Sequence, residues 1–209
     1  GGVGAKASAA RDEDFIEYVH QANMHSTMMF FTEQGRLYWT KVYELPEGNR
    51  QSKGRALQNM INIQKGDKVC AFIHVKNLSD MEYVQNHYLI FATKNGLMKK
   101  TTLEAYSRPR ANGIIALGLR EDDRLIRVTL TDGNSQMLVA SYNGKVVRFP
   151  EDTVRPMGRT ATGVRAIKLD EDGKDRVVGM ICVEESSKES VLVISEKGFG
   201  KRTDLDDEN

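Results

Sequence analysis

The feature that most constrains this chain is a phrase that it states four times. The runs "FFTEQG", "FATKNG", "VASYNG" and "VISEKG" place glycines at Gly35, Gly96, Gly144 and Gly198, at intervals of 61, 48 and 54 residues. Behind each Gly the chain turns partly apolar again, as "RLYW", "LMKK", "KVVR" and "FGKR". Two short strand-like runs around a polar-polar-Gly turn predict a tight β-hairpin, because Gly reaches the positive φ that such turns need. A phrase repeated at a near-regular period predicts a repeat architecture rather than a single irregular core.

Two further phrases recur in order. Gly54 in "SKGRAL", Gly113 in "ANGIIAL" and Gly163 in "ATGVRAI" follow the first three hairpin glycines by 19, 17 and 19 residues. Then come "GDKVCAFIHV", "DDRLIRVTLT" and "KDRVVGMICV", each a turn with acid at or near its start that leads into an apolar, β-branched strand. A unit of about 50 residues thus holds about four strands, the content of a propeller-like blade. The offset of 109 residues that sets Gly4 against Gly113 also sets Asp14 against Asp123, so the chain opens inside a unit. The expected fold is all-β: a propeller-like, incomplete array of four-stranded blades in a single domain, 1–209. A partial first blade covers 1–22, repeats start near 28, 88 and 136, and a partial last blade covers 190–209. The Trp-Asp pair of a WD40 blade is absent.

Net charge is only +1, but its distribution is regular. After the first hairpin Gly, Arg36, Lys41, Arg50, Lys53 and Arg55 face Glu44 and Glu47. After the second, Lys99, Lys100, Arg108 and Arg110 face Glu104. After the third, Lys145, Arg148, Arg155, Arg159 and Arg165 face Glu151 and Asp152. Each segment carries a surplus of three positive charges, and Lys201 and Arg202 follow the fourth Gly. Acid gathers elsewhere, in the turn 170–176 and the tail 204–208. In a radial array, equivalent positions share a radius, so the surplus forms a spaced belt. Duplex DNA carries one charge per ~1.7 Å of axis, and such a belt suits its backbone. Contact limited to backbone predicts selectivity for bendable DNA rather than for a base sequence. The other readings of the same charge are solubility with blocked strand edges, or a propeller that scaffolds proteins. Tyr38, Trp39 and Tyr43 either pack between blades, which is the expectation, or offer stacking surfaces to single strands.

Several chemistries lack their motifs. There is no G-x-x-x-x-G-K-[ST] loop and no G-x-S-x-G elbow. His20, His25, His74 and His87 have no ligand spacing with cysteine, so no metal site is expected. Cys70 and Cys182 lie in apolar strand-like runs and are expected as buried free thiols. No catalytic residue and no cofactor are expected in this chain. No apolar run approaches the ~18 residues of a membrane span, and "GGVGAKASAARDEDF" has no apolar signal core.

The stretches "FFTEQGRLYWTKVYELPEG" and "SKGRALQNMINI" closely resemble the family of C-terminal domains of bacterial DNA gyrase A subunits, and the similarity runs through all 209 residues. The resemblance implies a six-bladed β-pinwheel around whose basic rim DNA is bound, bent and wrapped. The parent enzyme would be an ATP-dependent type II topoisomerase, using ATP and Mg and introducing negative supercoils. It would be cytoplasmic and nucleoid-associated, a heterotetramer in which the partners are gyrase B subunits and a second A subunit. Its catalytic tyrosine lies in a region absent here. Gly1, Gly2, Val3 and Gly4 resemble the last four positions of the family's Q-R-R-G-G-K-G box, with Val3 in place of the basic residue. That half-recognisable box implies a domain that binds and bends DNA but wraps it poorly. It also leaves the paralogous A subunit of topoisomerase IV as the alternative.

Overall fold

The structure is a computed structural model that describes residues 24–41 and 62–184, together with the backbone of Val191–Ile194 and Gly200–Thr203. The repeat appears as three consecutive antiparallel sheets. The first contains β1 (Thr27–Thr32), β2 (Arg36–Lys41) and β3 (Val69–Val75). The second contains β4 (Tyr88–Thr93), β5 (Leu97–Thr102) and β7 (Leu125–Thr131), and between β5 and β7 the chain forms the short β6 (Ile114–Ile115). The third contains β8 (Ser135–Ser141), β9 (Val146–Pro150) and β11 (Val177–Glu184), with the short β10 (Val164–Arg165) between β9 and β11. A fourth hairpin pairs β12 (Val191–Ile194) with β13 (Gly200–Thr203). A one-and-a-half-turn helix, α1 (Met81–Gln85), joins β3 to β4, and Asp80 caps it by accepting the Tyr83 N–H.

The hairpins form where the sequence places them, and the same bonds hold each turn. Gly35, Gly96 and Gly144 take φ of 83°, 92° and 92°. Three residues earlier, the hydroxyls of Thr32, Thr93 and Ser141 accept the N–H of Arg36, Leu97 and Lys145 at 3.1, 3.2 and 3.1 Å. The carboxylates of Asp67, Asp123 and Asp175 reach across from the turn before the third strand. They accept the N–H of Gln34, Asn95 and Asn143 at 3.1, 3.0 and 3.0 Å. The acidic turn of each unit is therefore a clamp on that unit's hairpin.

In the first two sheets the hairpin lies in the middle. The order is β3-β1-β2-β6 in the first sheet and β10-β5-β4-β7 in the second. The fourth strand is thus donated by the following unit. Leu37 pairs with Ile114, and Met98 pairs with Val164. The donated strands seat because Gly113 (φ 71°) and Gly163 (φ 108°) carry no side chain where they cross their hosts. A Cβ on Gly163 would lie 2.3 Å from the Met98 carbonyl oxygen. The expectation that each unit builds its own four strands is corrected accordingly. Among the described residues, the third sheet has the order β11-β8-β9.

The middle strands are buried on both faces. All six residues of β1 are buried, and so are five of the six in β4. Side chains alternate sides along a strand, so β4 sends Leu89 and Phe91 into one core and Ile90 and Ala92 into the next. The first core joins the first two sheets through Met29, Phe31, Leu37 and Tyr106, with Phe31 edge-on to Phe91 at 5.5 Å. The second joins the second and third sheets through Met98, Met137, Val139 and Ile167. β3 packs beside β7 and β7 beside β11, so the third strands form the inner edges. The donated strands lie at the opposite, outer edges.

Candidate nucleic-acid interface

The outer edges carry the exposed arginines. From the end of β5, the chain makes a 3-10 turn (Leu103–Tyr106) and runs through Arg108 and Arg110 to β6, on the first sheet. From the end of β9, it makes a 3-10 turn (Glu151–Thr153) and runs through Arg155 and Arg159 to β10, on the second sheet. Arg108, Arg110, Arg155 and Arg165 are exposed and Arg159 is half-buried. These two crossovers touch each other. Gly118 N–H donates to the Ala161 carbonyl at 3.1 Å, and the Arg159 guanidinium donates to the Ile115 carbonyl. A Cβ on Gly118 would lie 2.7 Å from the Thr160 carbonyl oxygen, so the approach is tight. The arginine-bearing crossovers of two successive sheets are thus in contact.

Lys99 and Lys100 do not belong to that surface, and this corrects the sequence reading. Both residues are buried, at 0% and 4% exposure. The Lys99 ammonium donates to the Ala116 carbonyl at 2.7 Å, to the Tyr106 hydroxyl at 3.2 Å and to the Arg159 carbonyl. It also lies 4.9 Å from the Phe91 ring centroid. Lys100 forms an ion pair with Glu151 at 3.2 Å and lies 4.4 Å from the Tyr88 ring centroid. Both lysines sit beneath the crossovers that close over β5, so neither reaches a phosphate.

Burial, and then the charge of Arg159, lower the Lys99 pKa from 10.5 to about 7. Between those values the unfolded chain holds a proton that the folded chain has released. Stability from this group therefore rises with pH across that window, and is lost as pH falls toward 7. Tyr106, raised by burial from 10.0, and Cys182, raised by burial from 9.0, act in the opposite sense at higher pH. The urea midpoint is expected to rise from pH 7 to pH 9, and Lys99→Met is expected to abolish the rise. A midpoint that is flat in wild type would refute this account.

The family model described as "DNA gyrase C-terminal domain, beta-propeller" matches residues 26–76, 87–132, 136–184 and 189–207. The chain belongs to this family. It is 44% identical to the DNA gyrase A subunit of Salmonella typhimurium and 42% identical to that of Staphylococcus aureus, over 207 residues in each case. Those matches take in 99% of this chain and 23% of each relative, so the chain spans about a quarter of their length. Among solved structures, it is similar to a C-terminal domain of DNA topoisomerase IV (TM-score 0.72, 28% identity, 88% of this chain and 55% of that one). A DNA gyrase A C-terminal domain shares the fold (TM-score 0.69, 23% identity, 88% and 56%).

In this gyrase-family domain the remaining basic positions are spread over several settings. Arg36 is half-buried and bonds the Tyr38 hydroxyl at 3.3 Å and the Asn112 carbonyl at 3.1 Å. Lys41, Lys145 and Arg148 are exposed on β2, the third hairpin turn and β9; the Lys145 ammonium donates to the Lys168 carbonyl at 2.8 Å. Gly1, Gly2, Val3, Gly4, Arg50, Lys53 and Arg55 lie outside the described residues, as does Tyr43, and Lys201 and Arg202 are described by backbone alone. Tyr38 is buried, and Trp39 donates its indole N–H to the Tyr106 carbonyl at 3.1 Å. Trp39 packs against the core between the first two sheets, as expected, whereas Tyr38 is buried on the opposite face of β2 beside Gly113 and Arg36. Cys70 and Cys182 are partly buried and form no disulfide. Among the described residues, no helix is long and apolar enough to cross a membrane. Sequence reasoning missed the Ser or Thr three places before each hairpin Gly and the clamping Asp. The recurring "T-E-Q-G", "T-K-N-G" and "S-Y-N-G" carried the first signal.

Proposed function

We propose that this domain binds duplex DNA through phosphates along its outer basic edge, without sequence preference, and bends it in the service of negative supercoiling by a gyrase. The observation that carries the reading is the pair of adjoining crossovers, with Arg108 and Arg110 exposed on one and Arg155 and Arg165 on the next. Family membership supports it. Two neighbouring sets of guanidinium groups at the same edge of successive sheets can follow a phosphate backbone, and they read no base. The parent enzyme, with gyrase B subunits and a second A subunit, would supply ATP hydrolysis and strand passage in the cytoplasm. This chain would supply the DNA path.

Engagement of about five phosphates gives a slope of log K against log salt of roughly −4 to −5. Arg108→Glu with Arg110→Glu is expected to weaken binding strongly and flatten that slope. Lys65→Glu with Lys174→Glu makes the same charge change on the acidic turns and is expected to do neither. Equal losses from both pairs would reduce the interface to net charge alone. The likeness to a topoisomerase IV C-terminal domain favours a second reading, in which the parent enzyme is a topoisomerase IV rather than a gyrase. Ligation of a nicked circle in excess domain tests the bending: trapped writhe supports it, and a relaxed product restricts the domain to binding alone.

A further inference from the structure

We propose that Lys99 is a positioning residue for duplex binding, fixing from inside the domain the spacing of the two arginine-bearing crossovers. The proposal rests on the DNA-binding reading and deepens it. Lys99 stands on β5, beneath the place where the crossovers meet. One of its acceptors, Ala116, directly follows β6 on the crossover that bears Arg108 and Arg110. Another, Arg159, lies on the crossover that bears Arg155 and leads to Arg165. The third, the Tyr106 hydroxyl, donates in turn to the Ala116 carbonyl at 2.7 Å.

One ammonium thus ties the backbones of two segments that no strand pairing joins. Protonated, as it is below its pKa of about 7, it presents three N–H groups to three acceptors, and its side chain is fully buried. The corresponding positions in the neighbouring hairpins, three places after the hairpin Gly, are Tyr38 and Val147. Neither can hold two carbonyls together as an ammonium does. Two rows of arginines engage one rigid duplex only if their separation is set before binding, because DNA does not adapt cheaply to a loose partner.

The test compares the 209-residue chain with Lys99→Met in duplex binding at pH 6, where Lys99 is protonated, across a salt series, after near-UV circular dichroism has established native packing. Lys99 is buried and cannot itself meet a phosphate, so any change in slope must come from other groups. Loss of about two simultaneous phosphate contacts would lower the slope by about 1.8 and the affinity roughly 60-fold at 0.1 M salt. Arg155→Ala with Arg165→Ala should then cost little in the Lys99→Met background, although it costs strongly in wild type. Where Lys99→Met fails to fold, Tyr106→Phe replaces it: the ring stays, the bracing hydroxyl goes, and the slope falls by about one. A folded variant with the wild-type slope, or additive losses in the cycle, would overturn the proposal. Absence of duplex binding by the wild-type chain would remove the DNA reading, and the proposal with it.

Discussion

Glu151→Ala is expected to destabilise the domain by about 3–5 kcal/mol, the cost of stranding a buried charge. Glu151 is fully buried and bonds to both sheets that flank it. Its Oε2 accepts the Thr131 hydroxyl at 2.6 Å and the Lys100 ammonium at 3.2 Å, while its Oε1 accepts the Ser135 N–H at 3.2 Å. Lys100 and Thr131 belong to the second sheet and Ser135 to the third, while Glu151 opens the 3-10 turn that follows β9. Removal of the carboxylate leaves an ammonium and two donors without their acceptor in a buried site. Glu151→Gln keeps one acceptor, for the Ser135 N–H, and its amide N–H2 can donate to the Thr131 hydroxyl, so it should cost less, about 1–3 kcal/mol. Lys100→Met combined with Glu151→Leu removes both charges and should recover much of the loss. Urea unfolding of the four proteins decides the matter. A cost below about 1 kcal/mol for Glu151→Ala would mean that the pair is solvated and does not join the sheets.

Gly163→Ala is the second large effect, and it acts through the donated strand. The new Cβ would lie 2.3 Å from the Met98 carbonyl oxygen and 2.8 Å from the Met98 carbonyl carbon, both backbone atoms that cannot swing aside. The φ of 108° adds strain of its own. The chain relieves the clash only by lifting β10 from β5, which uncovers Met98, now 1% exposed. A loss of about 3 kcal/mol or more is expected. Gly144→Ala is the control, since φ there is 92° and no atom lies within 4 Å of the added carbon. It should cost about 1–2 kcal/mol, from backbone strain alone. If the two substitutions prove equally costly, the close crossing of β10 over β5 is not what holds the fourth strand.

The elements of this domain were legible in the order of its residues. Gly at a fixed place between two apolar runs can only be a tight turn in a chain of L-residues. The recurrence of that turn made the molecule a row of hairpins, and the continuous apolar runs of β1, β4 and β8 required a partner on both faces. These are short-range facts, settled by φ preferences and by side-chain alternation. Where the second phrase goes was settled by long-range packing instead. Residues 113–115 have the same local pattern whether they join their own hairpin or the preceding one. Only the gap between the Leu37 carbonyl and the Tyr38 ring, which admits Gly113 without a Cβ, selects the preceding sheet. Packing also settled the fate of Lys99 and Lys100, which in sequence are two cations after a Gly like those that stay exposed. Their burial comes from segments that return 17 and 60 residues later for Lys99, and from Glu151 for Lys100. A charge pattern fixes which groups a chain carries, and burial depends on contacts between residues far apart in it, so which cations are exposed could be read only after the crossovers were placed.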